Sequence, residues 1–112
     1  MSFDHSGRIA FITGAGSGIG RATALRLAAQ GAAVAVVDIR LEAAEETVAA
    51  IADGGGTGVA FDADVRDRSE IESARDGAVN AFGHVNYLVN NAGLDRMSPR
   101  DELSEDEWDL VI

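Results

Sequence analysis

The chain has 112 residues, enough for one domain of ordinary size, and its 46% hydrophobic and 25% charged content with near-zero mean hydropathy is that of a folded globular protein. A formal charge of −10 and a pI near 4.4 leave no positive field for a phosphate backbone or an anionic lipid surface, so nucleic acid is not expected as a partner. Cysteine is absent and every basic residue is Arg, which excludes disulfides, zinc–thiolate sites, thiol nucleophiles, a P-loop lysine and a Schiff-base lysine together.

Ile9–Thr13 is a compact apolar run that predicts a first strand, and after a glycine cluster residues 19–30, rich in Ala and Leu, predict a helix that Gly31 stops. Residues 33–37 form a second apolar run ending in Asp38, and Leu41, Ala44, Val48 and Ile51 then recur at helical spacing. Gly54, Gly55 and Gly56 predict a flexible turn before a short third strand over residues 59–61. Asp67 and Glu70 have the spacing of an N-cap and its box partner, and Ile71, Ala74, Ala78 and Phe82 supply the buried stripe of a third helix. Past Gly83, residues 85–89 predict a fourth strand closing on Asn90 and Asn91. The only proline, Pro99, precedes Ser104, whose spacing to Glu107 again suits a capping box, and Trp108, Val111 and Ile112 open the stripe of a fourth helix.

The alternation of strands and helices with short connections implies a parallel, helix-covered sheet, and near-continuous apolar strands agree with burial on both faces. The expected fold is an open α/β sheet of the doubly wound Rossmann type, its first half plus one strand, in the order 3-2-1-4. No linker or repeat divides it, so residues 1–112 read as one incomplete cofactor-binding portion. Strand four normally lies inside such a sheet, so self-association at its edge is expected.

The first turn reads Thr13, Gly14, Ala15, Gly16, Ser17, Gly18, Ile19, Gly20. A pyrophosphate reaches the amides of a helix N-terminus only where the turn is tight and no Cβ blocks its approach, and glycines meet both conditions. The general Gly-x-Gly-x-x-Gly spacing is not met, because Ile19 and Arg21 stand where its last glycine belongs. The segment does match Thr-Gly-x-x-x-Gly-x-Gly, and so resembles the short-chain dehydrogenase/reductase family. A glycine-rich turn also has purely structural uses, but three further features follow in order. Asp38 ends the second strand where a dinucleotide fold places the acid that binds the adenine ribose. Asp64 and Val65 follow the third strand, and Asn90, Asn91, Ala92 and Gly93 follow the fourth.

The resemblance implies an oxidoreductase that interconverts alcohols and carbonyls with a nicotinamide cofactor, and NAD is expected in preference to NADP because a 2′-phosphate would face the Asp38 carboxylate, with no base at Ala15 and only Arg40 to offset the repulsion in part. The resemblance also implies that Asp64 bonds the adenine amino group while the Val65 amide meets the ring, and that Asn90 to Gly93 brace the sheet and bring backbone to the cofactor. The lack of cysteine, a polar N-terminus and the lack of any apolar run of about eighteen residues lead us to expect a cytoplasmic protein, and a homo-oligomer acting on a small molecule is expected of the complete enzyme. The family's catalytic Ser and Tyr-x-x-x-Lys pair are not found: the single Tyr, Tyr87, lies in strand four and reads as core, and the chain has no Lys. No catalytic residue is therefore assigned, and the chain reads as an N-terminal portion of a longer enzyme, inactive alone. A non-catalytic NAD-binding module and a folded fragment without activity remain alternatives. His5 and His84 lack a carboxylate at ligand spacing, and the acids between Asp101 and Asp109 suit a helix N-terminus better than a metal, so no metal site is expected. Arg21 stands close enough to the glycine loop in sequence to reach a phosphate, or else belongs to a solvated helix face.

Overall fold

The computed structural model of the chain describes residues 5–91. Seven elements follow one another: β1 (Ile9–Thr13), α1 (Gly18–Ala29), β2 (Ala33–Asp38), α2 (Leu41–Asp53), β3 (Thr57–Asp62), α3 (Arg68–Phe82) and β4 (Tyr87–Asn90). The four strands make one parallel sheet in the order β3-β2-β1-β4, the order expected from the sequence.

Alternate side chains of each strand enter opposite layers of the core. Ala10, Ile12, Val34 and Val36 pack against Ala24 and Ala28 of α1 and Ala44 and Ile51 of α2. Phe11, Ala35, Val37 and Leu88 pack against Ile71, Ala74 and Ala78 of α3. Covering both faces is what allows β1 to be buried at every position and apolar up to Thr13, and the middle of β2 to be apolar throughout. The small residues on α1 and α2 let the helices lie close to the sheet and to each other.

Register decides what reaches the sheet's C-terminal rim. Thr13 stands opposite both Val37 and Asn90, and Asp38 stands opposite Asp62, so the last residues of all four strands come to one edge. That rim is where open α/β sheets bind ligands.

Several local expectations are corrected. β3 runs over six residues rather than three and is half-buried, because among the described residues it is an outer strand that pairs with β2 alone. β4 begins at Tyr87 and includes Asn90, since Asn86 turns its side chain to the start of β1, where its Oδ1 accepts from Ile9 N at 2.8 Å. Leu41, assigned to the apolar stripe of α2, is exposed at the helix start, and the buried positions there are Ala43, Ala44, Thr47 and Ile51. Asp67 caps α3 as expected, its Oδ1 accepting from the amides of Ser69 and Glu70. Glu70 does not complete the box, because Asp67 N already donates to Asp64 O; its carboxylate accepts from Asp64 N instead, at 3.0 Å. Tyr87 packs against the core as expected but is only half-buried, with its hydroxyl 3.2 Å from His5 Nδ1 and the two rings edge to face. The expectations for Ala92, Gly93 and the fourth helix lie outside the described residues.

Candidate functional site

The glycine loop is tied to the β2–α2 unit by three consecutive hydrogen bonds. Ala15 N donates to Val37 O at 3.0 Å, Thr47 Oγ1 donates to Ala15 O at 2.9 Å, and Gly16 N donates to Asp38 Oδ2 at 2.9 Å. The other Asp38 oxygen accepts from Arg40 N at 3.0 Å. Glycine is required here by close approach: a Cβ on Gly16 would stand 2.6 Å from Ala43 Cβ and 2.8 Å from Asp38 Oδ2, and one on Gly20 would collide with the Gly14 carbonyl. Ser17, the N-cap of α1, is extended and makes no side-chain bond to the first turn. The positive end of the helix is thus left without a cap of its own, the arrangement that binds an anion.

At the β1–β4 side of the rim the buried Thr13 hydroxyl donates to Asn90 Oδ1 at 2.9 Å and accepts from Asn91 N at 3.2 Å. A hydroxyl has one proton to give, so the nearer Asn90 oxygen takes it rather than Val89 O at 3.4 Å. These bonds lock the ends of β1 and β4 together across a long sequence interval. The Asn91 Nδ2 is buried with no acceptor among the described residues, a polar atom with a hydrogen-bonding need at the rim.

Past β3, Ala63 N donates to Asp38 O at 3.1 Å and keeps the strand ends in step. Asp64 is gripped by Arg66, whose backbone N and Nε donate to Oδ1 and whose Nη2 donates to Oδ2, all within 3.0 Å. The side-chain bonds from Arg66, with its backbone bond and charge adding to them, lower the Asp64 carboxyl from its ordinary 3.8 to about 2. Arg66 is correspondingly raised by the same partner. Asp67 is also lowered, first by the Ser69 side chain and then by the amides it caps.

Of the residues singled out from sequence, Thr13, Gly14, Gly16, Ser17, Gly18, Ile19, Gly20, Asp38, Asn90 and Asn91 gather along this rim, while Asp64 and Val65 stand just beyond it at the end of β3. Thr47 and Ala43 were not singled out. Thr47 carries the signal of a polar side chain on the apolar side of a helix, four residues before buried Ile51.

A parallel sheet with a glycine loop and a strand-end acid on its C-terminal rim defines a dinucleotide-binding α/β protein. A sequence model of the short chain dehydrogenase family matches residues 8–112, and the chain belongs to that family. It is 40% identical over 112 residues to a D-threitol dehydrogenase of Mycolicibacterium smegmatis, an alignment covering 100% of this chain and 43% of the relative. It is 43% identical over 113 residues to a cyclohexanol dehydrogenase of an Acinetobacter species, covering 100% of this chain and 45% of that protein. The fold is similar to a solved 7α-hydroxysteroid dehydrogenase complexed with NADH and 7-oxo glycochenodeoxycholic acid, with a TM-score of 0.77 and 40% identity over 79% of this chain and 34% of that one. The chain thus spans less than half the length of these relatives. Among the described residues no helix is long and apolar enough to cross a membrane.

Proposed function

We propose that the chain is the cofactor-binding portion of an NAD-preferring oxidoreductase that interconverts alcohol and carbonyl groups, and that the chain alone binds the cofactor without turnover. The observation that carries this reading is the Asp38 carboxylate, fixed beside the glycine loop by Gly16 N and Arg40 N. Each carboxylate oxygen so held keeps a second lone pair, which suits it to accept from a pair of ribose hydroxyls. A 2′-phosphate there would face the same negative charge, a repulsion of about 1 to 4 kcal/mol for two unit charges near 4 Å at effective dielectrics of roughly 80 to 20. Ala15 offers no base to offset it, whereas the neighbouring Arg40 reduces it in part.

The residues present fit such a cofactor. The uncapped first turn of α1, behind Gly14, Gly16, Ser17, Gly18, Ile19 and Gly20, receives the pyrophosphate, and a Cβ built on Gly18 would meet nothing within 4 Å. Thr13 and Asn90 hold the β1–β4 rim rigid, and Asn91 contributes a side-chain amide that has no acceptor among the described residues; the roles that the resemblance implies for Ala92 and Gly93 belong to the same reading. Asp64 and Val65 serve the adenine, Asp64 through the Oδ2 lone pair that Arg66 leaves free. When bound, the nicotinamide supplies the hydride acceptor or donor. In the same reading the complete enzyme is a cytoplasmic homo-oligomer.

Isothermal titration of the chain with NAD and with NADP tests the assignment. NAD is expected to bind more tightly, and Asp38→Ala is expected to narrow the ratio of the two dissociation constants by about tenfold, the equivalent of about 1.4 kcal/mol. Tighter binding of NADP to the unaltered chain would overturn it.

A further inference from the structure

Thr47 lies on α2, well away in sequence from the loop, and its side chain is completely buried. Its hydroxyl donates to the carbonyl of Ala15, itself fully buried. The next atom along the chain, Gly16 N, donates to Asp38 Oδ2. Ala15 C=O and Gly16 N–H belong to one peptide group, and in a trans peptide these two bonds point in opposite directions. One rigid unit is therefore held at one end by the Thr47 hydroxyl and at the other by the Asp38 carboxylate. Rotating the peptide about its long axis would break both bonds at once.

We infer that Thr47 is a positioning residue: by fixing the Ala15–Gly16 peptide it aims Gly16 N–H at Asp38 and so sets the carboxylate's orientation toward the cofactor. The link to the cofactor rests on the reading of Asp38 given above. The geometry favours Thr over the similar-sized Val at this point, because only the hydroxyl satisfies a buried carbonyl. Val offers the same bulk in the apolar layer around Ala43, Ala44 and Ile51 but no proton. Ser keeps the proton and loses only a methyl group.

The test compares Thr47→Val and Thr47→Ser in the 112-residue chain, with hydrogen exchange of individual backbone amides followed by NMR and with NAD and NADP titrations. Thr47→Val is expected to speed exchange at Gly16 by about tenfold while the amides of Phe11 and Val36 in the central strands stay within about threefold, the signature of a local opening. Thr47→Ser is expected to restore Gly16 protection to within about threefold of the unaltered chain. Where the unaltered chain prefers NAD, Thr47→Val narrows that preference about fivefold and Thr47→Ser does not. Unchanged Gly16 exchange in Thr47→Val, or a rise shared equally by Gly16, Phe11 and Val36, overturns the inference, as does a loosened Gly16 amide with the NAD preference intact. An unaltered chain that shows no preference for NAD instead overturns the Asp38 reading, and the selective Gly16 exchange then decides the role of Thr47 on its own.

Discussion

Asp38 and Asp64 are both acids at strand ends, yet their surroundings commit them differently. Asp38 is held by two backbone amides, one per oxygen. Asp64 is wrapped by three donors of a single residue, Arg66, and stands at about 2. A carboxyl lowered in the folded state stabilises the fold above its unfolded value near 3.8, and that contribution disappears as the pH falls through about 2. The Asp64–Arg66 pair is therefore expected to persist at pH 4, where ordinary carboxylates are already half protonated or nearly so. Titrating the side-chain carboxyl carbons by NMR checks this: the Asp64 midpoint is expected near 2 in the unaltered chain and back in the ordinary carboxylate range in Arg66→Ala. An Asp64 midpoint that Arg66→Ala leaves in place would remove Arg66 as the cause. Because Arg66 leaves one Oδ2 lone pair free, the pair orients Asp64 without wholly blocking it.

At the scale of elements, the strands were legible because parallel strands covered on both faces read as near-continuous apolar runs, and β1 and β2 do so up to their last residues, Thr13 and Asp38, which reach the rim. The caps were legible wherever the interaction is local, as with Asp67. What the sequence concealed depends on distant partners. Glu70 has box spacing to Asp67 but bonds Asp64 N, and Thr47 breaks an apolar pattern for a carbonyl that only the fold brings beside it. In the candidate site, Asp38 and the glycine loop could be read from spacing, whereas the hydrogen bond that joins them could not. β4 carries a further consequence. Among the described residues it pairs with β1 alone, and Tyr87–Asn90 contains none of the charges or prolines that usually blunt an outer strand. The 112-residue chain is expected to self-associate through this edge. Its charge of −10 opposes that contact, so association measured by sedimentation should rise as salt shortens the screening length from about 10 Å at 0.1 M toward about 3 Å at 1 M. A monodisperse monomer at high concentration and high salt would count against it.

For the molecule as a whole, the proposed function separates binding from chemistry. In that reading the sheet rim provides the parts that would hold a dinucleotide: an uncapped helix end, the Asp38 carboxylate and the braced Thr13–Asn90 junction. Hydride transfer needs two things more. One is a proton donor or acceptor at the substrate oxygen, with a pKa near the working pH and within hydrogen-bond reach, a contribution of about 10²- to 10⁴-fold. An unassisted tyrosine titrates near about 10, and the family's remedy, a lysine four residues beyond it, is impossible in a chain without Lys. The only tyrosine, Tyr87, is moreover turned toward His5, and in register it faces Ala10, three residues before the Thr13 that reaches the rim. The second need is a surface that sets the substrate carbon against the nicotinamide, and orientation of this kind contributes about 7 to 11 kcal/mol in favourable cases. The 112-residue chain is accordingly expected to bind NAD and to leave a secondary alcohol such as cyclohexanol unoxidised. Following NADH absorbance with purified chain, against a heat-denatured sample and a preparation from cells lacking the gene, makes the comparison. Turnover above both controls, retained when Tyr87 is replaced by Phe, would show that a proton path exists without either residue type and would overturn the separation of binding from chemistry.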